Sequence, residues 1–299
     1  MAAHSFGVRG LVASVVMVGF GVILSLGSSP GGAATTAVHA TMPPGYVRVS
    51  SPAVTVTAGQ DACGQVTCPV DSSGVQTVPQ GGGVYVGSIS TLASINSSYP
   101  DANGIAWDGC ATNATNAGFS IQVYAVCAEP NSGYTQIASA SVINPAGTDT
   151  AGTATCPTGT RVLGGGALAS SQNLAVNMNS SYPVQGIGKS GWHVNMNNGS
   201  EMAESFTVYA VCSKYTPGLA NYGITVGSSV DNPAGRQSGT SAACPTGTVP
   251  LGGGIAASSS SILVNINTTY PDLSNGWSSW ENNASTSDDR MTPYVICAS

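Results

Sequence analysis

From residue 46 onward, apolar and polar positions alternate in short runs that are broken every few residues by Gly, Pro, Asn and Ser. Ala175-Val176-Asn177-Met178-Asn179 and Trp192-His193-Val194-Asn195-Met196 alternate with a period of two, the pattern of strands with one face toward solvent. Phe206-Thr207-Val208-Tyr209-Ala210-Val211-Cys212 is rich in β-branched and aromatic residues and reads as a strand buried on both faces. Tyr-Pro pairs, Asn-Gly and glycine tracts separate such runs, and no stretch after the N-terminal segment sustains a helical period. The pattern predicts an all-β protein of sandwich-like or barrel-like units with about five or six short strands each.

The pattern also recurs. Cys-Pro pairs begin at Cys68, Cys156 and Cys244, 88 residues apart, and the chain returns to Cys127, Cys212 and Cys297 at intervals of 85. Trp107, Trp192 and Trp277, and likewise Tyr124, Tyr209 and Tyr294, step by 85. Three tandem homologous repeats follow, over residues 46–128, 134–213 and 222–299. A period of this length exceeds common solenoid repeats and approaches a small domain, which leaves the units either in a row or around a pseudo-threefold axis.

Composition adds compartment and excludes partners. Arg9, the apolar run from Leu11 to Leu26 and the small residues that follow read as a signal peptide and processing region over 1–40, so the mature protein is expected to be secreted, extracellular and without a membrane segment. Charged residues make up 7% of the chain and the net charge is −6, with the few Lys and Arg scattered. Binding to a phosphate backbone needs clustered cations, so nucleic acid is excluded as a partner.

Eight cysteines in an exported chain point to disulfides. One cysteine opens each repeat and one closes it, so the simplest pairing joins Cys68 to Cys127, Cys156 to Cys212 and Cys244 to Cys297, tying the first strand of a unit to its last. Cys63 and Cys110 remain, both in the first repeat, and pair with each other. Beyond the processing region His193 is the only histidine, so no metal and no cofactor is expected.

The triplets Gly81-Gly82-Gly83, Gly164-Gly165-Gly166 and Gly252-Gly253-Gly254 lack the Lys-Ser or Lys-Thr of a phosphate loop. They read instead as bulges, or as seats where another backbone or an aromatic ring comes close. Tyr99, Tyr182 and Tyr270, each before a proline, and Trp107, Trp192 and Trp277 are the candidate binding residues, because flat aromatics beside amides and carboxylates suit a sugar. The competing reading places these rings in the cores of small β units. Six Asn-x-Ser/Thr sequences start at Asn96, Asn113, Asn179, Asn198, Asn267 and Asn283 and read as turn asparagines. Asp101 and Asp272 follow Tyr-Pro, but Val184 takes that place in the second repeat, which weakens calcium binding by that loop. No catalytic residues are assigned; a hydrolase would have to draw on a pair such as Glu201 and Glu204.

The string Cys-Pro-x-Gly-Thr, Leu-Gly-Gly-Gly, Asn-Ser-Ser-Tyr-Pro, Gly-Trp and Val-Tyr-Ala-Val-Cys resembles the repeats of exported, largely uncharacterised bacterial proteins of actinobacterial type. The resemblance covers nearly everything after about residue 50 and implies no activity or ligand. The first repeat departs from it, with Asp71-Ser72-Ser73 in place of Gly-Thr. The expectation is a secreted, non-enzymatic binding or envelope-associated protein whose partner is a polysaccharide or another cell-surface component. The alternatives are a purely structural extracellular protein and a secreted hydrolase.

Overall fold

The structure, a computed structural model, describes residues 42–186, 189–214 and 219–299. The expected signal segment lies outside the described residues. Each repeat supplies seven strands. The first carries β1 (Val47–Ser50), β2 (Val54–Val56), β3 (Asp61–Thr67), β4 (Val78–Val86), β5 (Ala93–Pro100), β6 (Ala106–Asn113) and β7 (Phe119–Ala128). The second carries β8 (Thr135–Ala138), β9 (Val142–Asn144), β10 (Thr148–Thr155), β11 (Thr160–Ala169), β12 (Val176–Gly186), β13 (Lys189–Asn198) and β14 (Glu204–Lys214). The third carries β15 (Gly223–Val226), β16 (Val230–Asn232), β17 (Arg236–Ala243), β18 (Val249–Ala257), β19 (Val264–Pro271), β20 (Gly276–Asn283) and β21 (Asp289–Ala298). The count exceeds the expected five or six because the opening pair of each repeat is only four and three residues long, too short to register as a periodic run.

No repeat keeps its strands to itself. Sheet I runs β1-β7-β4-β19-β20-β17, sheet II β3-β6-β5-β11-β14-β8 and sheet III β10-β13-β12-β18-β21-β15, with β2, β9 and β16 each adding to the long last strand of its repeat. Every sheet therefore joins four strands of one repeat to three of another, and the third repeat returns to the first, closing a ring about a pseudo-threefold axis. The seams are equivalent: Ala167 pairs Ser98, Ile255 pairs Ser181 and Val84 pairs Thr269. β4, β11 and β18 touch one another pairwise, as do β5, β12 and β19, so the central strands line the axis.

The glycine triplets follow from this closeness. A Cβ on Gly81 would stand 2.6 Å from Leu251 O, on Gly164 2.5 Å from Gln80 O, and on Gly252 2.4 Å from Leu163 O, so the first glycines of the three copies meet at the axis. The second glycines, Gly82, Gly165 and Gly253, lie under Trp107, Trp192 and Trp277, leaving 2.4–2.5 Å for a Cβ. The third, Gly83, Gly166 and Gly254, face Thr269 O, Ser98 O and Ser181 O across the seams. One requirement, backbone or ring where a side chain would otherwise be, acts at all three positions. A register shift precedes each triplet, so the bulge is present as well.

Two sets of polar clasps hold the ring. Asn96 Nδ2 donates to Val176 O at 2.9 Å, Asn179 Nδ2 to Val264 O at 3.0 Å and Asn267 Nδ2 to Ala93 O at 2.8 Å, each reaching the next repeat. In the opposite sense, the hydroxyls of Tyr46, Tyr134 and Tyr222 donate to Pro250 O, Pro79 O and Val162 O at 2.7–3.0 Å. Burial pushes the Tyr46 phenol up to about 12 and raises those of Tyr134 and Tyr222 too, so all three remain neutral donors. Asn96, Asn179 and Asn267 are thus not turn residues as expected; they are 1–2% exposed and join repeats. Asn113, Asn198 and Asn283 do sit at turns, where each side-chain oxygen accepts from the residue two places on. For the same reason β12 is buried on both faces from Val176 to Ser181, against the half-exposed strand its alternation suggests.

All four disulfides form as paired above: Cys68–Cys127, Cys156–Cys212, Cys244–Cys297 and Cys63–Cys110. The three repeated bonds do not tie a first strand to a last. Cys68, Cys156 and Cys244 directly follow β3, β10 and β17, the third strands of their repeats, so each bond links two different sheets. The set fastens sheet I to II, II to III and III to I. Loops of 53–59 residues closed in this way stabilise by about 4 kcal/mol each in the chain-entropy model.

Candidate functional site

The central strands pack their inward side chains into the core or against the axis, and the outward faces of the sheets carry the exposed differences between repeats. Trp107, Trp192 and Trp277 are 0–1% exposed, and each indole N–H donates to a hydroxyl of its own repeat: Ser98, Ser181 and Thr269. Buried over glycine, they have no surface to offer a ligand, which corrects their place among the binding candidates. Tyr99, Tyr182 and Tyr270 instead lie half-buried on the outer faces. Each meets the strand-closing tyrosine of another repeat across a seam: Tyr99 with Tyr209 at 5.5 Å, Tyr182 with Tyr294 at 5.1 Å, and Tyr270 with Tyr124 at 5.1 Å. The third glycine of a triplet pairs directly with the closing tyrosine on the strand next to it, at Gly166–Tyr209, Gly254–Tyr294 and Gly83–Tyr124. Partial burial raises the pKa of all six phenols, keeping them uncharged.

Around this common pair the three faces diverge. On sheet I, Tyr85 stands edge-on to Tyr270 at 5.7 Å, and Trp280 lies 6.2 Å beyond it with ring planes 14° apart. Trp280 can lean across β17 because Gly239 is opposite; a Cβ there would be 2.4 Å from the indole nitrogen. Two of the four rings, Tyr85 and Trp280, line a cleft of about 370 Å³ together with Ser88, Ile89 and Gln237, and no charged side chain lines it. On sheet II, Leu168 replaces Tyr85, and the Trp280–Gly239 pair is replaced by the directly opposed Cys110 and Cys63. Its cleft, about 350 Å³, carries Asp101 and Asp108, the latter holding Gln65 Nε2 at 2.8 Å.

On sheet III, Ala256 and Asn195 take those two places. His193, 5.2 Å from Tyr182, bonds Thr153 Oγ1 at 2.9 Å through Nδ1 and Asn195 Oδ1 at 3.0 Å through Nε2. Asn195 gives its amide N–H to Asp149, so its oxygen faces the ring; Nε2 is thereby assigned the proton and Nδ1 accepts from Thr153.

Asp101 accepts with both oxygens, and Asp272 with Oδ1, from backbone N–H groups of their own hairpin turns at 2.8–3.1 Å, while Asp272 Oδ2 accepts from the Ser278 hydroxyl at 2.8 Å; both cap those turns rather than offering a cation site. Among the described residues no cluster of three or more His, Cys, Asp or Glu is placed to hold a metal. Glu204 accepts from Ser170, and Glu201 is exposed on the adjoining turn. Trp280, Tyr85 and Tyr124 were not among the sequence candidates. The signal was available for Trp280, as the one tryptophan without counterparts at the repeat interval.

No protein-family model matches this chain, and no curated protein is similar to it. Among the described residues no helix is long and apolar enough to cross a membrane. The four disulfides fit an oxidising compartment.

Proposed function

We propose that this protein is a non-enzymatic binding protein of the cell exterior whose sheet I takes a neutral polysaccharide. The observation that carries the reading is the convergence of Tyr124, Tyr270, Tyr85 and Trp280 on one outer face, where Tyr85 and Trp280 line an uncharged cleft. Flat rings that are already ordered offer apolar area to the C–H faces of sugars at little entropic cost, while Ser88 and Gln237 supply hydrogen-bonding groups at the edge. The rings come from β7, β4, β19 and β20, neighbours in the sheet, so a chain lying across the strands would meet them over about 14 Å, three strand spacings. The apolar N-terminal run and the disulfides support export.

Affinity electrophoresis against a set of neutral and acidic polysaccharides tests this. Retention by a neutral polymer is expected, with Trp280→Ala weakening it at least about tenfold, or about 1.4 kcal/mol. Retention by none of them, or an unchanged affinity in the folded Trp280→Ala protein, would overturn the reading. A second reading, a purely structural exported protein, is favoured by the fact that the repeated Trp, Gly and Asn residues all have internal partners. It predicts that no polymer binds.

A further inference from the structure

Cys63 and Cys110 are an addition to the first repeat alone, and the fold does not need them. They stand directly opposite each other on β3 and β6, where the ladder from Asp61–Thr112 to Thr67–Ala106 already holds the strands together. The same outward position carries Ala151 and Asn195 in the second repeat and Gly239 and Trp280 in the third. The three repeated disulfides bridge sheets, and each keeps its closing sulfur in the core, Cys127, Cys212 and Cys297 being 0–1% exposed, while Cys68 and Cys156 are 2% and 7% exposed and Cys244 is half-buried. Cys63 is exposed on the outer face of sheet II, whereas Cys110 is 7% exposed.

The exposed sulfur is furnished with polar neighbours. Asp61 Oδ1 lies 3.9 Å from Cys63 Sγ, and Gln172 Nε2, from the second repeat, lies 4.0 Å from it. Asp61 Oδ2 is buried and has no hydrogen-bond partner among the described residues, so this carboxyl is committed to no structural contact on that side.

We propose that Cys63–Cys110 is a thiol-exchange site at which a small extracellular thiol is taken up as a mixed disulfide on Cys63, with Asp61 moving the proton. The incoming sulfur approaches the exposed Cys63 Sγ while its S–H proton passes to the Asp61 carboxylate. The new S–S bond forms to Cys63, the Cys63–Cys110 bond breaks, and its electron pair leaves on Cys110 Sγ. The proton then goes to Cys110. One S–H and one S–S bond are lost and one of each is made; the thiol is oxidised to the disulfide level and Cys110 is reduced. Burial pushes Asp61 up to about 6, a value at which the group gives and takes protons near neutrality. Asp108, two residues from Cys110 on the same face, is held by Gln65 and is present in every variant below.

The test exposes the disulfide-intact protein to reduced glutathione under native conditions, quenches with acid, alkylates, and maps the peptides by mass. The expected product carries glutathione on Cys63 and the alkyl group on Cys110, formed roughly 100-fold faster than any product from the three sheet-bridging disulfides. An Asp61→Asn variant is expected to lose the step in rate near pH 6 and keep the steeper rise that belongs to the thiol itself. The Cys63→Ala, Cys110→Ala double variant should fold with its three remaining disulfides and take up no glutathione. No adduct, an adduct on Cys110, or simultaneous opening of all four disulfides would overturn the site; identical pH profiles for the parent and Asp61→Asn would overturn the role of Asp61.

Discussion

Replacing Glu281 by Gln is expected to make the folding stability of this protein far less dependent on pH. Glu281 is fully buried, paired with Ile266 across β19 and β20, at the position held by Met196 and Ala111 in the other repeats. Desolvation pushes its pKa from the ordinary 4.5 up to about 8; the Asn232 amide, 2.9 Å from Oε1, opposes this, and Asp289 beside it adds to it. At neutral pH the carboxyl therefore keeps its proton in the folded protein and loses it in the unfolded chain.

Below about pH 4.5 both states are protonated and the full stability is present. Between 4.5 and 8 the unfolded chain releases a proton that the folded one retains, so stability falls by about 1.4 kcal/mol per pH unit and levels off above 8. The 3.5-unit interval corresponds to about 5 kcal/mol as an upper bound, because local relaxation and water entry soften the ionised state. A Gln keeps an oxygen for Asn232 and offers an N–H to Asp289, without the titration. Denaturant unfolding with the disulfides intact, at pH 5, 7 and 9, measures the slope. Asp61, Asp108 and Asp149, whose pKa values are also raised by burial, remain in both proteins, so the difference between the two curves isolates Glu281. Parallel curves for the parent and Glu281→Gln would refute the reasoning.

Two further substitutions test the ring itself. Asn267→Ala removes two hydrogen bonds at the closure between the third and first repeats, to the carbonyls of Ala93 and Ser88; Asn282 Nδ2 and Gln237 Nε2 still donate to those carbonyls, so a loss of about 0.5–1.5 kcal/mol per bond is expected in the same unfolding assay. Gly165→Ala would press a methyl to 2.4 Å from both Trp192 and Tyr209 O, so a cost at the upper end of the usual 1–3 kcal/mol for overpacking is expected, with a shift in tryptophan fluorescence as the indole is displaced.

Much of the molecule was legible from residue spacing. The alternation of apolar and polar positions implied strands, the matched intervals implied three copies, and the even placement of cysteines implied the four bonds that form. The glycine triplets were readable as seats for rings and backbone, because only a missing side chain explains glycine inside a strand. The site was legible in part. Tyr99, Tyr182 and Tyr270 do reach the surface, but the repeated tryptophans beside them do not.

What chain order alone determined was therefore the periodicity, the strand class and the covalent staples, all of which depend on near neighbours or on counting. Which repeat pairs with which was decided only by tertiary structure. A strand's pattern says which face is apolar but carries no address for its partner, and the homologous strands of three copies present nearly the same edge. Closure of the ring resolves that degeneracy: it sends β5 to β11, β12 to β18 and β19 to β4, and so brings Tyr99 against Tyr209 and Tyr270 against Tyr124. The aromatic face of sheet I, assembled from the first and last repeats, exists only once residues some 150–200 positions apart meet at that seam.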